Sequence, residues 1–130
     1  MKIFLVFIFL TVTLFSNDFR DVREISLQKD ELTHILVKYE NREKLFKFRW
    51  TLYTNGGLVI HRSYDKIISQ NILYLRYKNQ SIRQELKPRG ADFYNVPYLL
   101  VKFKEFNTQK HEAVFELFLS DEKMQIELKY

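Results

Sequence analysis

Apolar side chains return at every second position through most of this chain. Over residues 45–54, Phe46, Phe48, Trp50 and Leu52 alternate with Lys47, Arg49, Thr51 and Tyr53. Successive side chains leave a strand on opposite faces, so the pattern predicts a strand with one buried and one wet face. It recurs in Leu99, Val101 and Phe103 around Lys102, in Ala113, Phe115, Leu117 and Leu119 around Glu116, and in Met124, Ile126 and Leu128 around Gln125 and Glu127. Shorter runs over 22–28, 33–39, 58–64, 72–78 and 82–87 bring the number to about nine. After residue 19 no dozen residues keep apolar positions three and four apart between good caps; only 18–29 offers a short amphipathic helix as a rival reading. The expectation is an all-β fold: a single small antiparallel β-sandwich or up-and-down barrel of about nine strands, spanning residues 17–130.

Hairpin register follows from bringing two apolar faces to the same side. A three-residue loop Asn55-Gly56-Gly57 pairs Leu52 with Ile60 and Phe48 with Tyr64, and sets Arg62 opposite Trp50, where a cation could stack on the indole. A three-residue loop Thr108-Gln109-Lys110 pairs Phe103 with Phe115 and Val101 with Leu117, with Lys102 opposite Glu116 on the outward face. A tip at Asp121-Glu122 then pairs Leu117 with Ile126, completing a three-stranded C-terminal meander. The predicted core is Phe48, Trp50, Leu52, Ile60, Val101, Phe103, Phe115, Leu117 and Ile126.

The start of the chain breaks the alternation. Met1-Lys2 is followed by thirteen uncharged residues, Ile3 to Phe15, and then by Ser16-Asn17-Asp18. A short positive start, an apolar stretch too short to span a bilayer and a small residue at its end read as a signal peptide over 1–16, cleaved after Ser16. An uncleaved signal anchor is the alternative. Export to the periplasm follows, or secretion from a single-membrane cell, and no second long apolar run would hold the mature chain in a membrane.

Composition narrows the chemistry. The 130 residues suit one domain, and cysteine is absent, which removes disulfides, thiolate metal sites, cysteine nucleophiles and lipid attachment to cysteine. His34, His61 and His111 lack ligand spacing, so no metal is expected. No nucleophile elbow, phosphate loop or dinucleotide fingerprint occurs, no cofactor is implied, and the chain reads as no enzyme. His61 and Ser63 share a strand face about 7 Å apart, too far to share a proton.

Lys and Arg number 21 against 16 Asp and Glu, a net charge of +5. Lys44, Lys47, Arg49, Arg62, Arg76, Lys78, Arg83, Lys87 and Arg89 concentrate this charge in the middle of the chain. For an exported protein the matching polyanions are an anionic envelope polymer or lipid surface rather than nucleic acid. Apolar surplus marks a second feature. Tyr98, Leu100 and Phe118 point away from the face that Leu99, Val101 and Leu117 bury, with Leu100 opposite Phe118. They either form a second layer filled by Leu73, Leu75 or Leu36, or join the proline-bounded loop 88–97 in a partner-binding patch of Arg89, Phe93, Tyr94, Tyr98, Leu100 and Phe118. The expected function is a non-enzymatic domain that binds or scaffolds another envelope component, an envelope protein or an anionic surface. The alternative is a small barrel carrying a lipid or other apolar ligand inside.

Overall fold

The structure, a computed structural model, describes residues 19–88 and 96–130. The expected signal segment lies outside the described residues. Nine strands follow one another: β1 (Arg20–Gln28), β2 (Thr33–Tyr39), β3 (Arg42–Thr54), β4 (Gly57–Tyr64), β5 (Ile67–Tyr74), β6 (Ser81–Glu85), β7 (Tyr98–Asn107), β8 (Glu112–Ser120) and β9 (Glu127–Lys129). They form a four-stranded sheet in the order β1-β8-β7-β6 and a five-stranded sheet in the order β5-β4-β3-β2-β9. Every pairing is antiparallel. Among the described residues no ladder joins the two sheets, so the fold is a sandwich rather than a closed up-and-down barrel. Within that segment Arg20–Gln28 form strand β1 rather than a helix, and pairing with β8 supplies the partner a lone helix would lack.

Alternation decides what lies between the sheets. Phe46, Phe48 and Trp50 of β3 face Phe103 of β7 and Phe115 of β8; the four phenylalanines are fully buried. The Phe48 and Phe115 rings meet edge to face at 5.3 Å across the sheets. Of the expected core, Phe48, Trp50, Ile60, Val101, Phe103, Phe115, Leu117 and Ile126 are buried.

Leu52 is not: it is 49% exposed. The β3–β4 connection is a two-residue turn, Asn55-Gly56, with φ of 52° and 79°. This is the left-handed pair that hairpins favour and that Asn-Gly adopts readily. Thr54 pairs with Gly57, and a bulge between Trp50 and Leu52 brings Trp50 opposite Ile60, Phe48 opposite Arg62 and Phe46 opposite Tyr64. The extra residue shifts the alternation. Leu52 therefore turns outward, and Tyr53 takes the inner place, stacked on Phe106 at 3.9 Å. The three-residue turn, and Arg62 opposite Trp50, are thereby corrected.

The β7–β8 hairpin keeps the expected pairs Val101–Leu117, Lys102–Glu116 and Phe103–Phe115. Its loop is one residue longer than expected, with Asn107 opposite Glu112, and a bulge between Phe103 and Glu105 absorbs the difference. The C-terminal meander is a correction. Both sides of β8 are occupied, by β7 and β1, so the chain turns at Asp121, crosses to the other sheet and pairs β9 with β2, Val37 opposite Leu128. Left-handed Glu122 and Lys123 make that turn, closed by the Met124 amide donating to the Asp121 carbonyl at 2.9 Å.

Candidate functional site

Tyr98 and Leu100 of β7 stand on the outer face of the four-stranded sheet because the alternating Leu99 and Val101 fill the inner one. Across β6, β7 and β8 a row runs Arg83–Leu100–Phe118, and beside it a row runs Glu85–Tyr98–Ser120. The Arg83 guanidinium lies 3.8 Å over the Tyr98 ring. Phe19, immediately before β1, places its ring 5.5 Å from Phe118 and 6.4 Å from Tyr98. Tyr98, Leu100 and Phe118 are thus gathered in one half-buried patch between Phe19 and Arg83. Leu73 lies between the sheets, Leu75 packs against that core, and Leu36 pairs with Leu45 in the other sheet, so none of them provides the expected second layer. Arg89, Phe93 and Tyr94 lie outside the described residues.

A second cluster sits where β4, β5 and β6 meet. In β4, Leu58, Ile60, Arg62 and Tyr64 share the inner phase, so Arg62 points between the sheets. Its Nε donates to Asn71 Oδ1 at 2.9 Å and its Nη1 to Gln84 Oε1 at 2.8 Å, tying the five-stranded sheet to β6. Burial pulls the Arg62 pKa below the ordinary guanidinium range. A cleft of about 440 Å³ opens beside it, lined by Lys44, Tyr64, Asp65, Gln84 and Lys87 among others. Lys44 Nζ stands 3.3 Å from Asp65 Oδ2 and within 6 Å of the Tyr39 and Tyr64 ring centres. Burial opposes the Lys44 charge, but Tyr39 and Asp65 outweigh it and its pKa is raised.

Tyr64 donates its hydroxyl to the Leu86 carbonyl at 2.7 Å. Burial, and then the neighbouring Tyr39 and Asp65, push its phenol far above the ordinary tyrosine value. The native state therefore keeps a proton that the unfolded chain releases near pH ~10. This contribution to stability is complete below that pH and is lost as pH rises beyond it. Tyr64→Phe should cost about 1–3 kcal/mol at neutral pH, because the buried Leu86 carbonyl loses its donor. Urea denaturation across the alkaline range should also show a shallower loss for the variant than for the parent.

The basic residues of the middle of the chain do not form one stripe. Lys44 and Arg62 point inward. Lys47 and Arg49 lie opposite Ser63 and His61 on the outer face of the five-stranded sheet, Arg83 is on the other sheet, and Lys87 bonds Glu40 at 3.2 Å. His34 and His61 belong to β2 and β4 and His111 to the β7–β8 turn; among the described residues no three His, Asp or Glu side chains are grouped to hold a metal ion. Among the same residues no helix is long and apolar enough to cross a membrane.

No protein-family model, curated protein or solved structure matches the chain. The site must be read from its residues. The position of Phe19 and the neighbours of Arg62 are not legible in the sequence. Phe19 reaches the patch only because β1 pairs with β8, and the partners of Arg62 follow from the bulge in β3, which sets it opposite Phe48 rather than Trp50 while it keeps the inward phase of Leu58, Ile60 and Tyr64.

Proposed function

We propose that the protein is an exported, non-enzymatic β-domain that binds or scaffolds another cell-envelope protein through the outer face of its four-stranded sheet. The observation that carries this reading is the grouping of Tyr98, Leu100 and Phe118 beside a stacked arginine on a sheet face. Aromatic and arginine side chains dominate binding hot spots, and strands hold them in place so that little entropy is lost on association. The stacked Arg83 keeps hydrogen-bond donors for a carboxylate, so the partner surface is read as an apolar centre bordered by an acidic residue. Arg89, Phe93 and Tyr94, which precede β7 in the sequence, are kept as further partner-binding residues on their residue types alone. Phe46, Phe48, Phe103 and Phe115 occupy the space between the sheets, which favours surface recognition over the carrier of an apolar ligand.

A photo-crosslinking residue at Leu100, expressed in the native host, tests the reading. A discrete protein adduct is expected, and Arg83→Ala with Tyr98→Ala should weaken capture by about 30-fold or more, the loss of about 2 kcal/mol typical of a hot spot, with little change in melting temperature. Equal capture by the double variant would overturn the reading. A small molecule retained in native mass spectrometry would return the carrier. Intact mass of the recovered protein reports export, since loss of residues 1–16 is expected.

A further inference from the structure

Three tyrosines converge at one end of the sandwich. Tyr53 of β3, Tyr74 of β5 and Tyr77 of the loop that follows line a cleft of about 500 Å³ together with Asn55, Asn79 and Leu75. Among the described residues no charged side chain lines it, although charged residues make up 28% of the chain. Its volume lies within the range of ~300–1,000 Å³ common to small-molecule sites. The cleft is remote from the Tyr98 patch: Phe106, which carries Tyr53, and Tyr98 stand near opposite ends of β7, about 26 Å apart by strand rise.

Each ring is held by a different contact. Tyr53 stacks on Phe106 at 3.9 Å, which covers one face of its ring. Tyr74 pairs with Gly57 across the β4–β5 ladder, and a Cβ at Gly57 would come within 2.9 Å of Tyr74 Cε1. Gly57 lies outside the left-handed region that Gly56 occupies, so the turn does not call for a second glycine; the close approach of the tyrosine ring does. Tyr77 stands edge-on to Tyr74, with ring centres 6.0 Å apart and planes at 79°, and is 70% exposed. The loop that carries it is tied down at both ends. The Tyr74 amide donates to the Asn79 carbonyl at 3.2 Å, and Asn79 Nδ2 donates to the Ile72 carbonyl at 3.3 Å. Gln80 accepts from the Arg76 amide at 3.2 Å through Oε1 and donates to the Phe103 carbonyl at 2.8 Å through Nε2. An aromatic ring displayed to water on a loop held in this way is placed in advance for a ligand, so little ordering cost attends binding.

We propose that this cleft binds a neutral glycan built of β-linked glucose-type rings, with one sugar ring seated against Tyr77 and Tyr74 and its hydroxyls bonded by Asn55 and Asn79. In such a ring every hydroxyl is equatorial and the C–H bonds are axial, so each face is apolar and weakly positive. That face suits the negative face of an aromatic ring. The hydroxyls around the rim need both donors and acceptors, and a carboxamide supplies both. Asn79 uses its Nδ2 on the Ile72 carbonyl, which leaves Oδ1 to accept from a hydroxyl. The uncharged lining matches an uncharged ligand. A quaternary ammonium ion, which also seeks tyrosine rings, would find no carboxylate among these lining residues and would be repelled by Arg76 and Lys78 on either side of Tyr77 in the chain.

Isothermal titration and saturation-transfer NMR of the purified protein with cellotetraose and tetra-N-acetylchitotetraose test the proposal. At least one of the two should bind with a Kd between about 10 μM and 5 mM, and saturation should reach its axial ring protons most strongly. Tyr77→Ala should weaken binding by about tenfold or more with an unchanged melting temperature, because the ring is largely exposed. Tyr77→Phe keeps the aromatic face and should bind within about threefold of the parent. Gly57→Ala displaces the Tyr74 ring and should weaken binding as well. The double variant Arg83→Ala, Tyr98→Ala should bind these sugars as the parent does, so loss of the protein-binding reading would leave this result standing. Binding of neither sugar at about 10 mM, or equal affinity for the parent and Tyr77→Ala, would overturn the proposal. Tighter binding of choline or of oligothymidylate at the same tyrosines would overturn it as well.

Discussion

Phe115→Ala is expected to lower stability by about 3–5 kcal/mol, most of what a domain of this size possesses. Phe115 is fully buried on β8. Its ring touches Phe48 of the opposite sheet edge-on at 5.3 Å and Phe103 of its own sheet at 6.0 Å. The space left by alanine would be bounded by side chains from two sheets, each held by its own ladder. β8 in particular is locked between β1 and β7, so the cavity could shrink little. Loss of transfer free energy and the cavity penalty therefore add, and no disulfide supports the chain. Urea denaturation followed by tryptophan fluorescence measures the change. Phe118→Ala, three residues away on the opposite face, should cost less than half as much. Equal losses at the two positions would contradict the assignment of inner and outer faces.

That assignment was legible in the sequence wherever strands alternate without interruption. Residues 99–103 and 113–119 carry one apolar face each, and their pairing emerged with Val101 opposite Leu117 and Phe103 opposite Phe115. Two changes cancelled there: a longer loop and a bulge. At the Asn55-Gly56 hairpin they did not. Agreement of apolar faces favours a three-residue loop, whereas the chain keeps the turn its residues favour and restores agreement with a bulge after Trp50. A bulge adds one residue without a compositional mark, so Leu52 and Arg62 have cross-strand neighbours that alternation alone does not give. The C-terminal segment illustrates a different limit. Met124, Ile126 and Leu128 alternate as a core strand should, but periodicity says which face is apolar and not which sheet receives it; the claim of β1 on β8 decides that. The same competition brings Phe19 beside Phe118. Tyr98, Leu100 and Phe118 could be placed on one face from sequence, while Phe19 and Arg83 needed the strand order.

Strand order also concentrates a large effect at Trp50, where the chain passes from the four-stranded sheet to the five-stranded one between β1 and β2. The Trp50 indole donates its Nε1–H to the Leu27 carbonyl at 2.7 Å, and the Trp50 carbonyl accepts from the Asp30 amide at 2.9 Å. One residue of β3 thus holds both the end of β1 and the turn that follows, while its ring packs edge-on against Phe106 at 5.4 Å. Trp50→Ala should cost about 3–5 kcal/mol, the range for a buried large aromatic. Trp50→Phe retains most of the packing but strands a buried carbonyl, so a loss of about 1–3 kcal/mol is expected from that cause alone. Hydrogen exchange separates the two contributions. In Trp50→Phe the amides of β1 and the turn through Asp30 should lose protection ahead of those in β3 and β4, because the connection between sheets is loosened while the central ladder survives. In Trp50→Ala protection should fall across both sheets together. A Trp50→Phe variant as stable as the parent, with β1 equally protected, would mean that the indole hydrogen bond contributes nothing to joining the two sheets.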